Sequence, residues 1–227
     1  PDGSQIAFIS ARDKDQPQIH LIDAEGGEAR TLTDLPQGSI AEFAWSPDGR
    51  KIAFSYRQRE DEWTREAIKK REETGESTPA RVINDIWYRL DGDGYFNTER
   101  YKLHIVDVES GATSMLYDKD TVGWMSFDWS PDSRTFAVAS IRNRRGSMAY
   151  FDFQILKIDA ATGAITHLKD LPKGPKTTVK WSPDGKHIAW AGRYGEDSGY
   201  STENLELWTC TAAGKKARCL TSDTDWC

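Results

Sequence analysis

Trp45-Ser46-Pro47-Asp48-Gly49-Arg50-Lys51-Ile52-Ala53-Phe54 is the stretch on which the fold turns. It recurs as Trp129-Ser130-Pro131-Asp132-Ser133-Arg134-Thr135-Phe136-Ala137-Val138 and as Trp181-Ser182-Pro183-Asp184-Gly185-Lys186-His187-Ile188-Ala189-Trp190. The chain also opens inside a copy, Pro1-Asp2-Gly3-Ser4-Gln5-Ile6-Ala7-Phe8. Proline presets φ at the first central position, aspartate follows, and glycine takes the left-handed position that closes a type I turn with a bulge. The residues behind each turn alternate apolar with small or polar, which is the period of a strand. Each copy is therefore the hairpin between two neighbouring strands. Ser133 stands where the other copies have glycine and must accept a left-handed backbone at a cost of roughly 1 kcal/mol.

A second repeated element sets the size of the unit. An apolar strand ends in aspartate, three residues intervene, and a glycine follows: Ile19–Asp23 to Gly27, Leu103–Asp107 to Gly111, Ile155–Asp159 to Gly163. A weaker copy runs from Leu205 through Cys210 to Gly214, with cysteine in the aspartate place. A short outer strand comes after each glycine. Four antiparallel strands repeated every roughly 40 to 50 residues are the pattern of propeller blades, whose two faces are buried only by stacking on neighbours. The fold class is all-β: an incomplete β-propeller of about four four-stranded blades with one helical insertion. The blades fall at about 1–36, 37–118, 119–172 and 173–221, and together they form one partial propeller over 1–227. A ring takes about four to eight blades, so the chain reads as an arc of a larger one.

The second blade carries an insertion at roughly 57–100. Its first half, Arg59 to Glu73, has no glycine or proline and is rich in helix formers. Asp61 with Arg65 and Glu66 with Lys70 are spaced to pair on one helix face, and Gly75 ends the helix. Arg81 to Leu90 returns to strand character before the turn-rich Asp91-Gly92-Asp93-Gly94-Tyr95.

The hairpin repeats together with the segment from Arg81 to Gly111 resemble the propeller of the prolyl oligopeptidase family of serine peptidases, in its acylaminoacyl-peptidase and dipeptidyl-peptidase branch. Tol-associated propellers share the hairpin repeat. The resemblance implies a propeller seated over an α/β-hydrolase domain, restricting the active site to short or unfolded peptides. It also implies that Glu72 and Glu73 meet the free amino terminus of a peptide, as acidic pairs do in dipeptidyl peptidases, and that Arg89 meets a carboxylate, with Tyr95 a further substrate-binding candidate. The hydrolase domain is not in this chain, because no G-x-S-x-G elbow occurs. Gly195-Glu196-Asp197-Ser198-Gly199 reads as a polar loop between two strands. The alternatives are a stand-alone Tol-like binding module and a scaffold propeller.

Other candidates resolve to structure. His20, His104, His167 and His187 sit at repeat positions with no metal-ligand spacing. Asp91, Asp93, Asn97 and Glu99 resemble a calcium loop, but the twelfth position is Lys102 where glutamate is required. Arg142-Asn143-Arg144-Arg145-Gly146 reads as a solvated turn, its functional alternative being an anchor for a carboxylate or a neighbouring domain. Trp45, Trp129 and Trp181 share one register and should pack between blades, whereas Trp63, Trp87 and Trp124 lie off it. No catalytic residue, metal or cofactor is assigned. A net charge of -6 argues against nucleic acid, and no run of 18 apolar residues argues for a membrane span. The compartment, cytoplasmic or periplasmic, stays open. The partners expected are a peptide substrate, the missing hydrolase domain and the remaining blades.

Two expectations concern the ends. Of the three cysteines, Cys210 and Cys219 should both be free thiols, with Cys219 nearer Glu206 than Cys210. The strand around Ser4 to Ser10 should be an unpaired edge. The last blade should expose Ile188, Trp190, Leu205 and Leu207, and the fragment should associate with itself.

Overall fold

The computed structural model describes residues 1–227 apart from 13–15, 85–86, 92–93, 97, 144–151, 194–204 and 224–227. The first sheet holds β1 (Gln5–Ser10), β2 (Gln18–Asp23) and β3 (Arg30–Thr31). The second opens with β4 (Gly38–Trp45) and β5 (Lys51–Gln58). An excursion follows, containing α1 (Arg65–Thr74), β6 (Arg89–Leu90) and β7 (Gly94–Tyr95), before β8 (Lys102–Asp107) and β9 (Thr113–Tyr117) complete the sheet. The third sheet runs β10 (Ser126–Trp129), β11 (Thr135–Ile141), β12 (Phe153–Asp159) and β13 (Ile165–His167). The fourth runs β14 (Lys176–Trp181), β15 (His187–Gly192), β16 (Glu206–Thr211) and β17 (Arg218–Cys219). In every sheet sequence order is spatial order and all pairs are antiparallel. That is the blade of a propeller.

The three Ser-Pro-Asp turns share more than their proline and their left-handed residue. In each, the serine hydroxyl donates to the aspartate Oδ1 at 2.6 Å, as Ser46 to Asp48, Ser130 to Asp132 and Ser182 to Asp184. The same aspartate oxygen accepts the backbone N–H two residues on, and the serine oxygen accepts the N–H that begins the next strand. Serine and aspartate are thus as necessary to the repeat as the turn residues. Gly49 and Gly185 have φ of 72° and 68°, and Ser133 has 61°, so the serine does occupy the left-handed position.

The alternation within strands explains how blades stack. Ile52, Phe54 and Tyr56 of β5 pack with Ile19 and Leu21 of the first sheet, while Ala53 between them faces the third. Phe136 and Val138 of β11 face the second sheet, while Ala137, Ala139 and Ile141 face the fourth. A large-residue face therefore meets a mostly small-residue face at successive interfaces, and both faces of the middle blades are dry. The repeat tryptophans sit at these interfaces as expected, and Trp129 Nε1 donates across one to Ala44 O at 3.2 Å. The first strands lie on the inside of the arc, where β10 and β14 are bonded through Ser126 Oγ to Val179 N and Asp128 Oδ2 to Trp181 N.

One expectation about the ends needs correction. Ile188 and Trp190 are 0% and 2% exposed, because that face of β15 packs on the third sheet. The open face is the other one, carrying Ala189, Ala191 and, directly opposite Ala191, Leu207. Leu205 and Leu207 are exposed as expected, and β1 is an edge strand bonded only to β2 among the described residues. Cys210 and Cys219 are free thiols. Cys219 pairs in register with Trp208 and its Sγ donates to Glu206 Oε2 at 2.7 Å. Cys227 lies outside the described residues.

Candidate functional site

Because neighbouring strands run in opposite directions, the Ser-Pro-Asp hairpins and the Asp-to-Gly turns share one rim of the arc. The excursion from β5 to β8 and the connections between sheets share the other. The hairpin rim repeats the same short turns. The opposite rim is where the blades differ from one another, and both cavities of the molecule described below lie there.

The excursion is closed at its base by a reciprocal clasp. Glu60 accepts from Thr98 twice, from the backbone N–H at 3.1 Å and the hydroxyl at 2.7 Å, while its own N–H donates to Glu99 Oε1 at 2.9 Å. Glu99 is buried, so this carboxylate is committed to the backbone of Glu60. Asp93 and Asn97 lie outside the described residues.

Past the clasp, Asp61–Trp63 form one turn of 3-10 helix and Thr64 is the N-cap of α1, its hydroxyl accepting the N–H of Ala67 at 3.2 Å. The helix therefore starts several residues later than composition suggests, and Asp61 precedes it, so Asp61 and Arg65 do not share a helix face. Gly75, at φ 72°, ends the helix as expected. The return path is not a strand from Arg81 to Leu90. Among its described residues only Arg89–Leu90 pairs, in a small hairpin with Gly94–Tyr95.

Six side chains join these pieces in a ladder. The Arg71 guanidinium lies over Trp63 at 5.8 Å and that of Arg81 over the same ring at 3.5 Å. Arg81 also reaches the Tyr95 ring at 5.3 Å, which receives Arg89 at 5.4 Å and stacks with Tyr88 at 6.2 Å. Each such contact is worth about 0.5–1 kcal/mol where exposed, so the ladder holds helix to hairpin collectively. Nothing in α1 itself is buried.

Of the residues singled out from the sequence, the structure brings Arg89 and Tyr95 together, directly opposite in register. Glu72 and Glu73 are exposed on α1, with Glu73 3.8 Å from Lys69. They stand at the helix end of the ladder, the other two at the hairpin end. Trp63 and Arg71 were visible in sequence only as a thin apolar stripe and one charge among many. Trp87 packs edge-on against Trp124, with ring centres 4.6 Å apart.

At the foot of the excursion lies a cavity of about 420 Å³ lined by Tyr56, Arg59, Glu60, Glu99, Arg100 and His104 among others. Burial lowers the His104 pKa, so its imidazole is neutral near pH 7, stacked on Phe54. Burial pushes the Tyr56 phenol up to about 12, and it donates to Pro36 O at 2.6 Å. The wall thus mixes carboxylates, guanidinium groups and neutral donors, a lining suited to binding a polar chain. Within it the Thr98 hydroxyl is bonded to the Glu60 carboxylate as part of the clasp. Ser198 lies outside the described residues, as do Arg144, Arg145 and Gly146 of the basic segment.

Four stacked antiparallel sheets, with uniform turns at one rim and an elaborated opposite rim, define an arc of a β-propeller. Residues 88–227 match the family model described as Eukaryotic translation initiation factor eIF2A, and the chain belongs to that family. Its propeller is of the type found in prolyl oligopeptidase-family peptidases. It is 38% identical over 117 residues to the uncharacterized peptidase YuxL of Bacillus subtilis, covering 51% of this chain and 17% of that protein. It is 26% identical over 234 residues to dipeptidyl-peptidase 5 of Porphyromonas gingivalis, covering 95% of this chain and 32% of the relative. The chain thus spans a third or less of these proteins. Among solved structures, the acylaminoacyl peptidase of Pyrococcus horikoshii superposes with a TM-score of 0.71 at 18% identity, over 99% of this chain and 31% of that one. TolB of Acinetobacter baumannii superposes with a TM-score of 0.61 at 17% identity, over 97% and 41%. At such identities the superpositions establish the fold.

Proposed function

We propose that this chain is the non-catalytic, substrate-selecting propeller of a serine peptidase of acylaminoacyl- or dipeptidyl-peptidase type, whose α/β-hydrolase domain lies outside it. The observation that carries this reading is the alignment with a named dipeptidyl peptidase along 95% of the chain, a span too long to omit the excursion. In this reading the hydrolase domain supplies the serine, aspartate and histidine. The propeller supplies exclusion, because only a chain narrow enough to pass the rim reaches the nucleophile. Glu72 and Glu73 would attract an amino terminus, and Arg89 with Tyr95 would hold a carboxylate, at the two ends of the ladder. The matching family's description names translation initiation. Residues 88–227 contain two full copies of the blade repeat, so we read that match as one of architecture, and a net charge of -6 has the wrong sign for a chain that grips a nucleic-acid backbone.

The test is direct. The full-length protein should hydrolyse aminoacyl, dipeptidyl or acylaminoacyl 4-nitroanilides and be labelled by a fluorophosphonate, while residues 1–227 alone should do neither. A full-length protein inert to both would sink the peptidase reading and leave a Tol-like binding propeller.

A further inference from the structure

We propose that the cavity between the third and fourth sheets, on the elaborated rim, is a binding site for a small oxyanion, a carboxylate or a phosphate, seated on the ammonium group of Lys176. The cavity measures about 260 Å³ and is bounded by the start of β12, the end of β13 and the connection that leads into β14. At about 30 Å³ per water molecule, that is room for a carboxylate and the residue or two attached to it.

Lys176 is 3% exposed, which is rare for a lysine. Its Nζ donates to Phe153 O at 3.1 Å and to Gly174 O at 3.0 Å. An ammonium has three hydrogens, and the third has no acceptor among the described residues. The acid that bears on it is Asp152, an exposed residue at the cavity wall that acts through its field and makes no hydrogen bond to the ammonium among the described residues. A buried cation whose hydrogen bonds among the described residues all go to carbonyl oxygens is costly to maintain. An anion in the cavity offsets that cost.

The surroundings are electropositive. Lys169, Lys173 and His167 line the cavity, and the Arg142 guanidinium is bonded to the His167 ring. Burial, and then the charges of Arg142 and Lys169, lower the His167 pKa, so its ring is neutral near pH 7 and the positive charge of the wall is that of the lysines and Arg142. Burial also lowers Lys176 to about 8, so the group remains mostly an ammonium at neutral pH. Leu168 and Leu171 add an apolar wall against which the remainder of an organic anion can lie. The assignment does not depend on the peptidase reading.

Calorimetric titration of the full-length protein with inorganic phosphate, alanylalanine and alanylalanine amide tests it. Saturable binding of phosphate or of alanylalanine is expected, weakened at least about tenfold by Lys176→Met, since a charge-assisted hydrogen bond is lost. Phosphate without alanylalanine identifies a free anion as the ligand. Alanylalanine without its amide identifies a peptide carboxyl terminus. Because Lys176→Met could compromise folding, the exposed pair Lys169→Ala with Lys173→Ala provides a second variant, expected to weaken binding several-fold. No saturable binding by the parent protein, or binding equal in the parent and in every folded variant, would overturn the proposal.

Discussion

The hydroxyl of Ser133 accepts the backbone N–H of Asp48 at 3.0 Å, joining the turn of the third sheet to the turn of the second. Ser133 is the one repeat position where a side chain sits at positive φ, and that side chain is the one that bonds to the neighbouring turn. The left-handed backbone costs about 1 kcal/mol and an exposed hydrogen bond returns about the same. Ser133→Gly should therefore leave stability within about 0.5 kcal/mol, as it removes both terms. Ser133→Ala keeps the strain and loses the bond, and should cost about 1 kcal/mol. Urea midpoints of the two variants decide the matter. An Ala variant as stable as the parent would show that the hydroxyl contributes nothing.

The turn aspartates make acid sensitivity predictable in sign. Donation from Ser46, Ser130 and Ser182 holds the carboxyls of Asp48, Asp132 and Asp184 below their ordinary 3.8. The folded state binds these protons less readily than the unfolded one. The stabilisation is therefore complete above the ordinary value and is lost as pH falls through the lowered ones. Melting temperatures recorded from pH 6 downward should drop less steeply for Asp48→Asn, which starts lower and has no proton to gain. Parallel curves for parent and variant would exclude the turn as the source.

The excursion carries the prediction with most functional content. On the proposed peptidase reading, Glu72→Gln with Glu73→Gln in the full-length protein should raise KM for substrates with a free amino terminus and spare N-acylated ones. Both residues are exposed on a helix with no buried residue, so folding should be unaffected. An equal effect on both substrate classes, or none, would make the helix a solvated decoration.

Residues 1–227 by themselves should self-associate, joining the edge of β1 to the open face carrying Ala191 and Leu207. Light scattering at micromolar concentration should give a mass above 25.6 kDa. A clean monomer would show that both ends are tolerated in water.

The blades were legible because period-two apolar runs and Pro-Asp-Gly turns carry their own geometry. The role of Ser46 and Asp48 as a bonded pair was not, since turn propensity already accounted for both residues. Period two also says only that neighbours in β15 face opposite ways. Which face meets the third sheet depends on stacking, and so Ile188 and Trp190 were assigned to the wrong side. In the excursion, Arg59 to Glu73 lacks any helix breaker, so the start at Thr64 could be seen only from the cap it makes. The Trp63, Arg81 and Tyr95 contacts join residues whose spacing follows no period. At the site, Arg89 and Tyr95 flank a turn-rich segment, but that they lie opposite one another follows only from the register of the small hairpin. Lys176 could not be distinguished from the other lysines without its burial.

The clasp between Glu60 and Glu99 makes the segment beyond it a nearly autonomous graft. Both ends are tied within one blade, so the ring is indifferent to the length of what hangs from it, and each doubling of a loop costs only about 0.6 kcal/mol of closure entropy. Residues 76–80, exposed at all but one position and without regular structure, are its natural seam. A reporter domain spliced there, or a protease site cut there, would leave the blades in register, and descendants of this gene are free to vary the rim without renegotiating the fold.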